Sequence, residues 1–148
     1  MIRRARSADV PELARLWLEA NLQAHGFIPA QYWRDHLEEM ANLLGESEVY
    51  LLEGENGPAA GFVGLQEEFI AGIFVRQEVR SKGIGKQLLD FAKGRKNRLR
   101  LHVYQKNAPA VRFYRREGFV TQRACRDAAT GEPEYEMLWT AICKKEYI

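Results

Sequence analysis

The chain runs to 148 residues, 46% hydrophobic and 11% aromatic, with 22 basic against 20 acidic side chains and a net charge of +2. That is the size of one ordinary domain, read as residues 1–148; its composition excludes disorder, and its charge is too balanced to recruit nucleic acid by itself. Two isolated cysteines, Cys125 and Cys143, argue against a disulfide framework or a zinc site, and with no apolar run near roughly 20 residues and no signal-peptide core after Met1 the expectation is a cytoplasmic protein with no membrane partner.

In chain order, Ile2 to Ala5 reads as a short strand. Asp9-Val10-Pro11-Glu12 has the spacing of a capping box, with Pro11 in the first turn. Leu13, Leu16, Trp17 and Ala20 then fall on one helical face, and Gly26 ends that helix. A second helix is expected from about Ala30 to Leu44, with Trp33, Leu37, Met40 and Leu44 on its stripe. Val49 to Glu53 is a strand, Glu55-Asn56-Gly57 a hairpin signal, and Ala59 to Gln66 the partner strand. Phe69 to Val75 is apolar almost throughout, as a central strand would be. A helix follows from Gly83 to about Lys93, and Leu99 to Tyr104 alternates as a strand. Asn107-Ala108-Pro109 opens a further helix that Gly118 stops. Phe119 to Cys125 and Tyr135 to Thr140 close the chain as a hairpin around Thr130-Gly131. The order β-α-α-β-β-β-α-β-α-β-β predicts an α+β (mixed α/β) fold, a mostly antiparallel sheet flanked by about four helices.

The most informative stretch is Ile73-Phe74-Val75 followed by Arg80-Ser81-Lys82-Gly83-Ile84-Gly85-Lys86. A strand, a glycine-bearing turn and a helix start leave backbone N–H groups bare for an anion. Glycine turns are common and two glycines can be plain structure. A P-loop would require glycine at Arg80 and Ser or Thr at Gln87; a dinucleotide fingerprint would require glycine at Leu88. Both patterns fail. The pyrophosphate turn of an acyl-CoA binder, Gln/Arg-x-x-Gly-x-Gly/Ala, fits throughout.

With Asn107-x-x-Ala110-x-x-Phe113-Tyr114-x-x-x-Gly118-Phe119 added, the chain resembles the GNAT family of N-acetyltransferases over essentially its whole length. Leu16-Trp17-Leu18-Glu19, His25-Gly26-Phe27-Ile28 and Tyr32-Trp33-Arg34-Asp35 are further similar to its small bacterial YiaC-like branch. The resemblance implies acetyl-CoA as co-substrate and a primary amine as acceptor, on a small molecule or on a protein lysine or N-terminus, with lysine favoured. It implies that the backbone of Phe74 and Val75, on the strand from Ile73, pairs with the pantetheine arm. The N–H groups from Ser81 to Lys86 would hold the pyrophosphate, with Arg80 at the basic position. Ser81 stands where the family more often has glycine. Asn107 would contact the cofactor, although it also reads as a helix N-cap. Tyr114 would protonate the leaving thiolate, and the N–H of Val75, or one beside it, would face the oxyanion. No metal is implied.

An ammonium acceptor needs a base. Glu67 and Glu68 lie between two central strands and are the candidates, although a solvated turn pair reads equally well. His102 reads as a strand histidine. His25, Phe27, Tyr32 and Phe69 could line an acceptor pocket or simply pack. The basic residues from Lys93 to Arg123 read as solvated surface. A CoA-binding sensor with little turnover is the alternative function, and monomer and homodimer both stay open.

Overall fold

The computed structural model describes residues 1–55 and 57–141. Seven strands form one sheet: β1 (Ile2–Arg4), β2 (Glu48–Gly54), β3 (Gly57–Gln66), β4 (Phe69–Val75), β5 (Arg98–Tyr104), β6 (Val120–Arg126) and β7 (Pro133–Thr140), in the order β1-β2-β3-β4-β5-β7-β6. All pairings are antiparallel except β4 with β5. The expected mixed sheet is therefore present, with the one parallel step where the strand–helix–strand unit was expected. The Glu55-Asn56-Gly57 hairpin signal falls on Asn56, and Cys143 on the C-terminal stretch, both outside the described residues.

Five helices flank the sheet: α1 (Val10–Ala24), α2 (Ala30–Asp35), α3 (Leu37–Glu46), α4 (Ile84–Arg95) and α5 (Ala108–Arg116). The helix expected from Ala30 to Leu44 is broken in two at His36. Its backbone sits at φ −98°, ψ 4°, and its ring Nδ1 lies 2.6 Å from the carbonyl of Tyr32. That carbonyl would otherwise accept the helical bond from the His36 N–H, which turns to Trp33 instead. The capping box at Asp9 and Glu12 does not form either. Asp9 closes a short 3₁₀ turn, accepting from the Arg6 N–H at 2.7 Å and from Arg3. Glu12 reaches the N–H of Ala59 on β3 at 2.8 Å.

Each face of the sheet has its own core. α1, α2 and α3 cover one face through Leu13, Leu16, Trp17 and Trp33 against Val49, Leu51 and Phe62. α4 and α5 cover the other through Leu88, Leu89, Ala92 and Val111 against Val63, Leu99, Leu101 and Met137. The alternation of β5 follows from this: Leu99, Leu101 and Val103 point to the α4–α5 core, while Arg100 and His102 point away.

One irregularity organises the site. Gly64 pairs with Gly72 but Leu65 pairs with Ile70, so Ala71 is an extra residue that bulges β4 and bends it. β4 and β5 meet at a single register pair, Phe69 with Arg100, plus the bond from Arg100 N–H to Glu68 O at 2.8 Å. Beyond that point the strands part, and the gap between them is the functional cleft.

Candidate active site

Two cavities of about 570 and 450 Å³ open from this gap. The larger is walled by β4 at Ile73 to Val75, the turn from Arg80 to Lys86 and the face of α5. The smaller is walled by α2, α3, Phe69 and the outward face of β5 and β7. Asn21, His25, Asn107 and Tyr114 line both, at the seam between them.

Part of the larger cavity's wall offers free backbone. Arg76 N–H binds Ala60 O, its direct register partner, at 2.9 Å. Antiparallel bonding alternates, so Phe74 also turns its N–H and carbonyl toward β3, while Ile73 and Val75 turn theirs to the open side. The parity corrects one expectation: Ile73 and Val75, rather than Phe74, present free backbone along the cleft. Phe74 contributes its ring, packed 5.1 Å from that of Phe62.

At the turn, Gln87 is the first residue of α4 whose N–H finds a helical partner, Gly83 O at 3.0 Å. The six N–H groups from Ser81 to Lys86 make no hydrogen bond to a described residue. Ser81 and Gly83 sit in the left-handed region, at φ 67° and 77°, which orients successive N–H groups toward one side. A Cβ on Gly85 would meet Phe113 at 3.7 Å and Val75 at 3.9 Å, both ordinary contacts. Packing therefore does not demand glycine there, whereas close approach by a ligand does. This cradle suits a pyrophosphate. Lys82 lies outside the cavity, and Lys86 is tied to Asp90 and Glu117 at 3.1 Å each. Glu117, at 9% side-chain exposure beside the cradle, is an acidic neighbour that Lys86 neutralises.

Asn107 caps α5, its Oδ1 accepting from Ala110 N–H at 3.3 Å, while its Nδ2 donates to His25 Nε2 at 3.0 Å. His25 Nδ1 must then carry its proton and donate to Asn21 Oδ1 at 2.9 Å. Asn21 passes the chain to the Trp17 carbonyl at 2.9 Å. This relay ties α1 to α5 across the cleft and leaves no room for a proton on His25 Nε2. Burial pushes the His25 pKa down to about 4. Tyr114 is buried, and burial holds its phenol well above the usual value, so it stays protonated. Its hydroxyl donates to no described residue.

Of the residues expected around the acceptor, Tyr32 and Phe69 line the smaller cavity, and His25 lines both. Phe27 lines neither; it packs behind His25 and Tyr104, with ring centroids 5.6 Å from each. Glu67 and Glu68 also lie outside both cavities. Glu67 turns the β3–β4 corner at φ 57°, and Glu68 pairs with Arg98 at 2.9 Å. The structure instead brings Glu39, Asp127 and Glu134, with His36 and His102, to the smaller cavity. Two signals for missed residues were in the sequence. Asn21 is a polar residue four positions after Trp17 on an apolar stripe, and Glu134 and Glu136 share one face of a strand.

Residues 45–121 match the model of the acetyltransferase (GNAT) domain. The chain belongs to the GNAT acetyltransferases. It is 36% identical to the peptidyl-lysine N-acetyltransferase YiaC of Escherichia coli K12, over 96% of this chain and 98% of that one. It is 31% identical to the peptidyl-lysine N-acetyltransferase YjaB of the same organism, over 83% and 84%. The solution structure of apo YjaB from Escherichia coli superposes with a TM-score of 0.83 at 24% identity, covering 96% of this chain and 98% of that one. This GNAT chain is thus an N-acetyltransferase that moves an acetyl group to an amine, and the family uses acetyl-CoA as co-substrate. Among the described residues, no helix is long and apolar enough to cross a membrane.

Proposed function

We propose that this GNAT enzyme acetylates lysine side chains of proteins by direct attack of the lysine amine on acetyl-CoA. The observation that carries the reading is Tyr114, a protonated phenol with no hydrogen-bond partner among the described residues, at the seam of two cavities. The donor side offers what a CoA arm requires: the free edge at Ile73 and Val75 for pantetheine amides, and the cradle from Ser81 to Lys86 for pyrophosphate. When bound, acetyl-CoA supplies an activated thioester carbonyl. The Val75 N–H, on the open edge, is a backbone donor free to meet charge developing on that oxygen. Tyr114 holds the proton that the departing sulfur needs. The acceptor side supports a cation by its acidic wall, and both curated relatives are named for peptidyl-lysine.

The test is thiol release from acetyl-CoA across lysine peptides, peptides with a free N-terminus and no lysine, and small amines, with product masses. Release with lysine peptides and a mass gain of one acetyl on lysine is expected. Release only with small amines or with N-termini would contradict the lysine assignment.

A further inference from the structure

The acceptor-side wall holds several carboxylates, and one of them is largely buried with no hydrogen-bond donor among the described residues. Glu39 is exposed on α3, with His36 nearby at the α2–α3 break. Asp127 is held by its own turn: the Ala129 N–H donates to it at 2.9 Å, the Tyr104 hydroxyl at 2.5 Å and the Thr130 hydroxyl at 3.1 Å. Glu136, on the same face of β7, takes Arg123 Nε at 2.8 Å. Glu134 differs from all three. Its side chain is 12% exposed, its only ionic neighbour among the described residues is His102 Nδ1 at 3.6 Å, and no described residue donates a hydrogen bond to its carboxylate. Cys125 faces it across the β6–β7 pair, with sulfur, imidazole nitrogen and carboxylate oxygen all within 4.8 Å, but a thiol brings no positive charge. Burial first, and then the charge of Asp127, raise the Glu134 carboxyl above its ordinary range.

A largely buried carboxylate without a fixed cation, on the wall of a cavity that Tyr114 also lines, is a seat for a cation that comes and goes. We propose that Glu134, with His102 beside it, receives the acceptor's ammonium group and removes the proton that must leave before attack. The inference rests on the acetyl-transfer reading above. The step balances as follows. One ammonium N–H bond breaks and an O–H bond forms on Glu134; that proton leaves to water by way of His102, whose side chain is 36% exposed. The freed lone pair forms the C–N bond as the C–S bond breaks, Tyr114 gives its proton to sulfur, and the surplus proton on nitrogen returns to the phenol oxygen through water. The products are the amide, the thiol and one proton. Neither Glu67 nor Glu68 could serve here, since neither reaches the cavity.

The experiment measures kcat/KM for a lysine peptide from pH 6.5 to 10 in wild type, Glu134→Gln and His102→Gln, with acetyl-CoA affinity measured alongside. A free lysine amine is only about one part in a thousand neutral near pH 7.4, given a pKa of roughly 10.4, and a positioned base contributes typically about 10²–10⁴-fold. Glu134→Gln is expected to lose about 100-fold at pH 7, to close that gap about tenfold per pH unit, and to approach wild type near about pH 9 with acetyl-CoA affinity unchanged. His102→Gln is expected to lose about tenfold at pH 7. Wild-type activity in Glu134→Gln at pH 7, or an equal loss at every pH, would overturn the inference while leaving acetyl transfer in place. If wild type releases no thiol with any lysine peptide, the functional reading itself falls. Should Glu134→Gln not fold, Glu134→Asp keeps the charge at a longer reach; an intermediate loss that shrinks with pH supports the inference, and no loss or a pH-independent loss overturns it.

Discussion

The two cavities that meet at Tyr114 are built from different materials. The donor side offers its polar groups from the backbone: the open edge of β4 at Ile73 and Val75 and the N–H groups from Ser81 to Lys86, none bonded to a described residue. The acceptor side is side chains carried in from the α2–α3 break, β4, β5 and β7: His36, Phe69, His102 and Glu134. A backbone site depends on local conformation, and so one short stretch of sequence specifies it. A side-chain site depends on which distant segments the sheet brings together, and can be rewritten without disturbing the fold. Substitutions should therefore separate by side, those on the donor side moving acetyl-CoA affinity and those on the acceptor side moving the amine's KM.

The largest separation is expected at the seam, which belongs to both. Tyr114→Phe keeps the ring packed against Phe113 and Phe119, and should lower kcat by about 100-fold with acetyl-CoA affinity within about twofold. Steady-state thiol release and a binding titration check both numbers. Next is the relay that ties the two arms. The pKa of His25 falls from 6.5 to about 4 on folding, so the unfolded chain binds more protons between those values. Stability is full above about 6.5 and is lost as pH falls through 4. Discounted for the partial exposure of the ring, the effect is on the order of 2 kcal/mol. His25→Gln should flatten that acid limb in urea titrations run at pH 7 and pH 4.5.

Gly85→Leu should weaken acetyl-CoA by about tenfold, or roughly 1.4 kcal/mol, while lysine-peptide KM stays put. The inverse pattern would break the comparison. Lys86→Met removes the cation beside Glu117 and should weaken acetyl-CoA by about fivefold. Adding Glu117→Gln should restore most of it, which a double-mutant cycle reads directly. The smallest effect is at Ser81, held at φ 67°. Ser81→Gly relieves left-handed strain of roughly 1 kcal/mol but loosens the unfolded chain, so stability should rise by less than about 1 kcal/mol with affinity unchanged.

These differences explain what the sequence could tell. The element order, the central β4 and the run from Ile73 to Gly85 were legible because capping, glycine placement and apolar alternation act within a few residues. Asn107 and Tyr114 were legible for the same reason, lying on one short helix. The break at His36 was not, because a ring nitrogen at the Tyr32 carbonyl overrides a helical stripe. The parity of Ile73, Phe74 and Val75 was hidden because β3, not β4, decides which amides are bonded. Glu134 was hidden because its place depends on β7 pairing with β5, where its register partner Tyr104 lies about thirty residues away in sequence. Glu67 and Glu68 looked apt by proximity along the chain, but neither lines either cavity.

The most direct test of the two-sided account is a backbone amide titration by NMR, first with CoA and then with a lysine peptide. CoA is expected to move the amides of Ile73, Val75 and Ser81 to Lys86. The peptide is expected to move those of His36, Phe69, His102 and Glu134, with Tyr114 moving in both. Coincident sets of shifted amides, or peptide shifts centred on Glu67 and Glu68, would contradict it.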